Sequence, residues 1–283
     1  MILKDLKRYI ESELCNLYNP YESESIAYLI IQHVFSYDKT KIILNYRNQV
    51  NEKSLVVVDE ILQKLKTHEP IQYIFGETEF YELKFKVNKD TLIPRQETEL
   101  LVYNIINFNK NNRGLKILDI GTGSGCIAIS LSKNMENTSV VAMDISNKAL
   151  VIAEENSNIN KVEVSFVKAD ILNLNEEIKE SFDIIVSNPP YVTDKEKKDM
   201  QKNVLNFEPH NALFVSDENP LVFYEKIILE SKNRLKLNGQ LWFEINEKFG
   251  NEVAQLMIEQ GFKAVGIIKD FNKKERIVFG ILK

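Results

Sequence analysis

The run ILDIGTGSGCIAI, Ile117–Ile129, restricts the fold of this chain more than any other stretch. An apolar block of strand length leads directly into Gly121, Thr122, Gly123, Ser124 and Gly125, and then into a helical block. Glycines at such a corner permit a tight turn and let backbone come close to a ligand. The sequence beyond it repeats the alternation. Lys116–Ile120, Val140–Met143, Val162–Val167, Phe182–Val186 and Gln240–Glu244 are apolar runs of strand length. Helical stretches at Cys126–Lys133, Lys148–Asn156 and Leu221–Leu235 separate them, the last with Asn219-Pro220 as N-cap and first turn. This pattern predicts a parallel sheet with helices on both faces. Phe262–Ile268 and Arg276–Leu282, joined by a short polar turn, predict an antiparallel pair at one edge. The expected fold is therefore α/β, a Rossmann-like, seven-stranded and mostly parallel sheet.

At 283 residues the chain is too long for one small core. Its first third has a different character. Ile2, Leu3, Leu6, Tyr9 and Ile10 recur at helical spacing, as do Ile26, Leu29, Ile30 and Val34 after a Ser-rich start at Ser23–Ser25. Leu55, Val58, Leu62 and Leu65 follow. Pro70 closes this region, and Leu83, Phe85 and Val87 then alternate with lysines as in a strand. The division expected is a helical bundle over 1–70, a β-hairpin linker over 71–90 within which Tyr73–Val87 is the hairpin, and the α/β domain over 91–283. That domain opens with Leu92–Val102 entering a helix, with Pro94 near its start and Glu97 and Glu99 in the first turns, where acids oppose the helix dipole.

Composition excludes several classes. No run approaches the roughly 20 apolar residues of a membrane-spanning helix. The N-terminal segment mixes charges into its apolar positions, unlike a signal peptide, and its acids are unlike a transit peptide. With two unpaired cysteines, Cys15 and Cys126, the expectation is a cytoplasmic protein with reduced thiols. A net charge of −5 opposes a face built to grip many phosphates, so no direct nucleic-acid partner is expected. His33, His68 and His210 lie far apart and lack metal-ligand spacing, so no metal is expected. Trp242 reads as core, and the charge run Asp194–Asp199 as a solvated face or mobile loop.

The chemistry lies at strand ends. The corner after Ile120 has G-x-G-x-G spacing rather than the G-x-G-x-x-G of dinucleotide enzymes, and Asp119 within it is awkward for a pyrophosphate but suits a zwitterionic amino acid. Asp144, about 20 residues on, suits the two ribose hydroxyls of an adenosine. Asp170 suits the adenine amino group, with Ile171 against the ring. The next buried strand ends in Asn188-Pro189-Pro190-Tyr191. Two prolines remove two backbone donors and stiffen the turn. The Asn188 side-chain oxygen and the Pro189 carbonyl are then free to accept from an NH₂ group, and Tyr191 offers a flat face for a planar group. Such a corner would align an sp² nitrogen with a methyl donor. It would need no strong base, because the proton can leave after attack.

These motifs resemble those of the release factor glutamine N5-methyltransferases, the PrmC/HemK family. The resemblance covers nearly all of residues 70–283. It is carried by EPIQYIFGETEFYELKFKV, LIPRQETELLV, LDIGTGSGCIAISL, MDIS with KAL, FDIIVSNPPYV and EPHNAL. The N-P-P-Y turn is shared with enzymes that methylate exocyclic amino groups of bases, whereas Leu92–Glu99 is more diagnostic. The resemblance implies a class I methyltransferase domain and a partner-binding helical N-terminal domain. It implies methyl transfer from S-adenosyl-L-methionine, released as S-adenosyl-L-homocysteine, to the glutamine of the Gly-Gly-Gln loop of class I peptide chain release factors. Gly121–Gly125, Asp144, Asp170, Ile171 and Asn188 would hold the cofactor. Asn188, Pro189, Pro190 and Tyr191 would hold and orient the amide, and Arg95 and Glu97 would contact the substrate. Glu99 belongs to the same segment without an individual role. The alternatives are methylation of an exocyclic amino group in nucleic acid or of a glutamine in a ribosomal protein. Gln96 stands where the family usually has proline, and Asn246 where glycine is common.

Overall fold

The structure is a computed structural model and describes residues 1–174, 178 and 180–283. Its packing divides the chain into two units, Met1–Gly76 with Gln201–Phe207, and Glu77–Met200 with Glu208–Lys283.

The first unit is helical: α1 (Leu3–Leu14), α2 (Pro20–Phe35), α3 (Lys39–Leu44), α4 (Glu52–Lys66) and α5 (Ile71–Phe75). Leu6, Ile10, Ile30, Ile31, Val58 and Leu62 form its core, all essentially without solvent contact. The apolar spacing places the second helix correctly, but it starts at Pro20 rather than at the serines. The Asn19 side chain accepts from the Glu22 N–H, and Pro20 occupies the first turn, where its missing N–H costs nothing. Ser23 is buried inside that helix. Among the described residues no helix is long and apolar enough to cross a membrane.

The second unit opens with a hairpin, β1 (Glu77–Phe80) and β2 (Leu83–Lys86), paired antiparallel from Glu77–Lys86 to Phe80–Leu83. The hairpin is shorter than its apolar pattern predicts, because Tyr73 lies in α5 and Gly76 ends that helix in a left-handed conformation. Helices and strands then alternate: α6 (Gln96–Phe108), β3 (Lys116–Ile120), α7 (Cys126–Asn134), β4 (Ser139–Asp144), α8 (Asn147–Asn160), β5 (Ser165–Lys168) and β6 (Phe182–Ser187). A small parallel pair follows, β7 (Val192–Thr193) with β8 (Phe214–Val215); α9 (Lys202–Phe207), between them in sequence, belongs to the first unit. Then come α10 (Val222–Arg234), β9 (Leu235–Glu244), α11 (Gly250–Glu259), β10 (Phe262–Lys269) and β11 (Glu275–Leu282).

Seven strands form one sheet in the order β10-β11-β9-β6-β3-β4-β5. All neighbours from β9 to β5 are parallel, and only β11 reverses direction, inserted between β9 and β10. Alternation along each strand feeds two cores. Ile117, Ile184 and Trp242 face α6 and α7, while Leu118, Ile185 and Leu241 face α10 and α11. Two boundaries differ from expectation. Val162 donates to the Ser157 carbonyl and closes α8, so β5 starts only at Ser165. Asn219-Pro220 forms a turn, and α10 begins beyond it at Val222.

The hairpin is anchored to the glycine corner by one side chain. Fully buried Asn156 on α8 accepts from the Lys86 N–H at 2.6 Å and donates to the carbonyls of Lys86 and Ser124 at 3.0 and 2.9 Å. Asn156→Ala removes this partner from the buried Ser124 carbonyl and from the half-buried Lys86 N–H and carbonyl. The expected loss is roughly 2–4 kcal/mol in denaturant-induced unfolding, since each orphaned group costs about 1–3 kcal/mol. Unchanged stability would mean that the hairpin is held by its apolar contacts and by its other polar ties, such as Asn160 to the Lys84 carbonyl and Glu99 to the Tyr81 N–H.

Candidate active site

The sheet order turns around β3: β4 and β5 continue on one side, β6 and β9 on the other. Ligands in open α/β sheets bind at such a switch point, beyond the carboxyl ends of the strands. Here β3 and β6 pair in register up to Ile120 and Ser187, and the Ser187 hydroxyl donates to the Ile120 carbonyl at 2.7 Å. The glycine corner and the Asn-Pro-Pro-Tyr turn therefore leave the sheet side by side.

The corner is held from below. Gly121, Gly123 and Gly125 have φ of 75°, 54° and 81°, the left-handed region that side chains disfavour. At Gly125 a Cβ would also lie 2.9 Å from Ile129 Cδ1. The N–H groups of Gly121 and Thr122 both donate to the Met143 carbonyl, at 2.9 and 3.0 Å. Asp144 Oδ2 accepts from the Gly123 N–H at 2.8 Å and Oδ1 from Ser146 at 2.9 Å. Burial raises the Asp144 carboxyl above its usual range in spite of these bonds. Asp119 has no solvent contact. Its Oδ2 accepts from the Thr122 hydroxyl at 2.7 Å. Burial pushes this carboxyl up to about 7.

A cavity of about 260 Å³ opens beside these strand ends. Gly121, Gly123, Asp144, Asp170 and Ile171 line it together with Asn188, Pro189 and Pro190. Ile145, Leu172 and Phe223 supply apolar wall. Thr122, Ser124 and Gly125 lie behind the lining: Thr122 and Ser124 are buried, and Gly125 starts α7. Asp170 caps a short 3₁₀ turn, accepting from the Leu172 N–H and the Asn173 amide.

A second cavity, about 40 Å³, adjoins the turn and is lined by Leu92, Arg95, Asn188, Pro189, Tyr191 and Leu213, among others. Asn188 and Pro189 thus line both cavities. Arg95 pairs with the buried Glu208 carboxylate at 2.5 Å, whose other oxygen accepts from the Ile93 N–H. Glu97 is exposed and lines neither cavity, while Glu99 accepts from the Tyr81 N–H in the hairpin turn.

The turn rests on residues that sequence reading passed over. Asn188 Nδ2 donates to Thr98 Oγ1 at 3.3 Å, and the Thr98 hydroxyl donates to Glu244 Oε2 at 2.7 Å. Tyr191 donates to Glu244 Oε1 at 3.0 Å. Burial and the neighbouring Glu244 charge both push the Tyr191 phenol upward. Glu244 ends β9 with about 1% of its surface exposed, the same signal (an acid closing an apolar strand) that marks Asp144. Asn246 Nδ2 donates to the Tyr191 carbonyl at 3.2 Å and to Glu196 Oε2 at 3.0 Å. Glu196 also accepts from Thr193 and Lys248. The run Asp194–Asp199 is thus a short 3₁₀ helix anchored through its half-buried Glu196 rather than a wholly solvated face.

Asp119 gives a signed pH dependence. Its folded carboxyl titrates near 7 and its unfolded one near 4. Between these values the folded protein holds a proton that the unfolded chain releases, so stability falls as pH rises through that window. The effect is on the order of 4 kcal/mol at most. Asp119→Asn should remove this component from unfolding curves between pH 4 and 7; an unchanged slope would contradict burial as the cause.

Residues 96–214 match the methyltransferase small domain family, and residues 5–76 match the PrmC N-terminal domain. The chain is 44% identical to the release factor glutamine methyltransferase of Flavobacterium psychrophilum, covering 98% of both chains. It is 40% identical to the protein of that name from Bacteroides thetaiotaomicron, covering 95% of this chain and 96% of the relative. A 16S rRNA N2 methyltransferase of T. thermophilus, solved with AdoMet and guanosine, shares the fold: TM-score 0.52 and 16% identity over 73% of this chain and 50% of that one. With full-length relatives at this identity, and with both domains of the family present in order, the chain belongs to the release factor glutamine methyltransferase family.

Proposed function

We propose that this protein transfers the methyl group of S-adenosylmethionine to the side-chain amide nitrogen of the glutamine in the Gly-Gly-Gln loop of class I peptide chain release factors. The single observation that carries this reading is the shared wall: Asn188 and Pro189 line both the larger cavity and the small one beside Tyr191. A group held in the small cavity meets a ligand in the larger one at that turn. The family relatives, named for the release factor and its glutamine, supply the acceptor class.

The larger cavity suits the cofactor. Main chain at Gly121 and Gly123 allows close approach, and Asp144 stands where a ribose diol would donate to its remaining lone pairs. Ile145 and Ile171 give apolar surface to an adenine ring. Asp170 stands beside them to accept from its amino group. Thr122, Ser124 and Gly125 act behind the lining by setting the shape of the corner. Bound there, S-adenosylmethionine supplies an electrophilic methyl group and departs as S-adenosylhomocysteine. No step requires a metal.

In the acceptor cavity the Asn188 side-chain oxygen and the Pro189 carbonyl accept the two amide hydrogens, and Tyr191 packs against the amide plane. An amide nitrogen is a poor nucleophile because its lone pair is delocalised. Two acceptors on its hydrogens draw electron density toward nitrogen, and fixed geometry removes the entropic part of the barrier, about 7 kcal/mol or more in favourable cases. As the N–C bond forms and the C–S bond breaks, the nitrogen becomes acidic and releases one of its two protons to solvent. Arg95, braced by Glu208, and Glu97 on the first turn of α6 are assigned to the peptide around the glutamine. The helical N-terminal unit is assigned to docking the body of the release factor.

Incubation with labelled S-adenosylmethionine and a purified release factor, followed by mass spectrometry, should place one methyl group on the Gly-Gly-Gln peptide. Asn188→Ala should reduce transfer on the order of 100-fold or more, the scale of a misplaced reactant, while cofactor affinity measured by titration calorimetry largely survives. Transfer to purified RNA or DNA with none to the release factor would overturn the substrate, and wild-type turnover by the variant would overturn the role of Asn188.

A further inference from the structure

An asparagine side chain has nearly the same shape with its oxygen and nitrogen exchanged, so the turn alone does not decide which end of Asn188 faces the acceptor. A substrate NH₂ group has only donors and needs the oxygen. We infer that Thr98 and Glu244 are positioning residues that fix this polarity, acting as a one-way hydrogen-bond relay behind the turn. The inference rests on the acceptor reading given above and names what enforces it.

The relay follows from donor counting. Glu244 sits at the end of β9 with about 1% exposure, and both of its carboxylate oxygens are engaged as acceptors, one from Thr98 and one from Tyr191. Its Oε2 lies 2.7 Å from the Thr98 hydroxyl and its Oε1 lies 3.0 Å from the Tyr191 hydroxyl. The single Thr98 proton is therefore committed to Glu244. Only lone pairs of Thr98 Oγ1 remain toward Asn188, 3.3 Å away, and only an N–H satisfies them. The Asn188 nitrogen turns to Thr98, and its oxygen is left for the substrate. The reverse orientation would set two lone-pair-bearing oxygens against each other and present a donor to a donor. Thr98 is itself buried at 2% exposure, so no bulk water relaxes the constraint. The same carboxylate holds the Tyr191 ring by its hydroxyl, so one buried acid orients both sides of the acceptor cavity.

Three variants test this. Thr98→Val keeps the branched shape and removes the hydroxyl; Thr98→Ser keeps the hydroxyl; Glu244→Gln replaces an acceptor-only group with one that also donates. Thr98→Val and Glu244→Gln should each lower kcat about tenfold or more, the rate equivalent of one misdirected hydrogen bond, with cofactor affinity and Tm close to wild type. Thr98→Ser should restore most of the rate. Equal kcat for Thr98→Val and wild type would overturn the relay. So would a Thr98→Ser protein as slow as Thr98→Val, or losses in cofactor affinity and Tm that account for the slower rate. A second readout needs no turnover. The side-chain amide NMR signal of Asn188, identified by its absence in Asn188→Ala, should shift in Thr98→Val and stay near its wild-type position in Thr98→Ser. An unmoved signal in Thr98→Val overturns the relay on its own. Failure of the wild-type protein to methylate the release factor would instead count against the acceptor reading and leave this NMR test standing.

Discussion

The parallel pairing of β3 with β6, in register to Ile120 and Ser187, is the constraint on which the rest of the site depends. It is the point where the sheet order reverses, so no crossover helix covers the space beyond these two strand ends. One strand runs out into glycines and the other into prolines. The glycines bend the chain under itself and bring main chain to the cavity; the prolines stop it bending and leave carbonyls without competing donors. Two opposite backbone properties are thereby set beside one another by a few ladder hydrogen bonds, and the Ser187 hydroxyl on the Ile120 carbonyl adds a cross-strand tie at the rim.

Acids stand at the ends of three strands at that rim: buried Asp119 one residue before the end of β3, half-buried Asp144 closing β4 and buried Glu244 closing β9. Each is held above its ordinary titration range by burial, and each has a separate task. Asp144 grips the glycine corner through the Gly123 N–H, Asp119 ties Thr122 from beneath, and Glu244 supports the Asn-Pro-Pro-Tyr turn through Thr98 and Tyr191. Burying carboxylates is expensive unless they are bonded. Their concentration suits a cationic methyl donor, and their hydrogen bonds brace the walls that must not move during transfer.

Much of this was legible in the sequence because it is local. The glycine spacing, the strand-ending acids and the Pro-Pro corner are each contained in a few consecutive residues, and strand–helix alternation places them at one end of one sheet. The parts that were not legible are contacts between distant segments. Thr98 and Glu244 are 146 positions apart, and Arg95 and Glu208 are 113 apart. No periodicity joins such pairs, although Glu244 carries the same strand-end signature as Asp144. The Asn246 amide bridges the Tyr191 carbonyl to Glu196, 55 and 50 positions away. Local chemistry was also ambiguous where one signal has two outcomes: Asn-Pro begins a helix at Pro20 but forms only a turn at Pro220, with α10 starting beyond it.

The central claim is geometric: a primary amide is held by two acceptors at the Pro-Pro turn, facing the cofactor across Asn188. A crystal structure of the protein with S-adenosylhomocysteine and a Gly-Gly-Gln peptide tests it most directly. The account requires the glutamine amide nitrogen within hydrogen-bonding distance of both Asn188 Oδ1 and the Pro189 carbonyl, on the side that faces the cofactor sulfur. A glutamine bound away from this turn, or one that meets the Asn188 nitrogen, would contradict it.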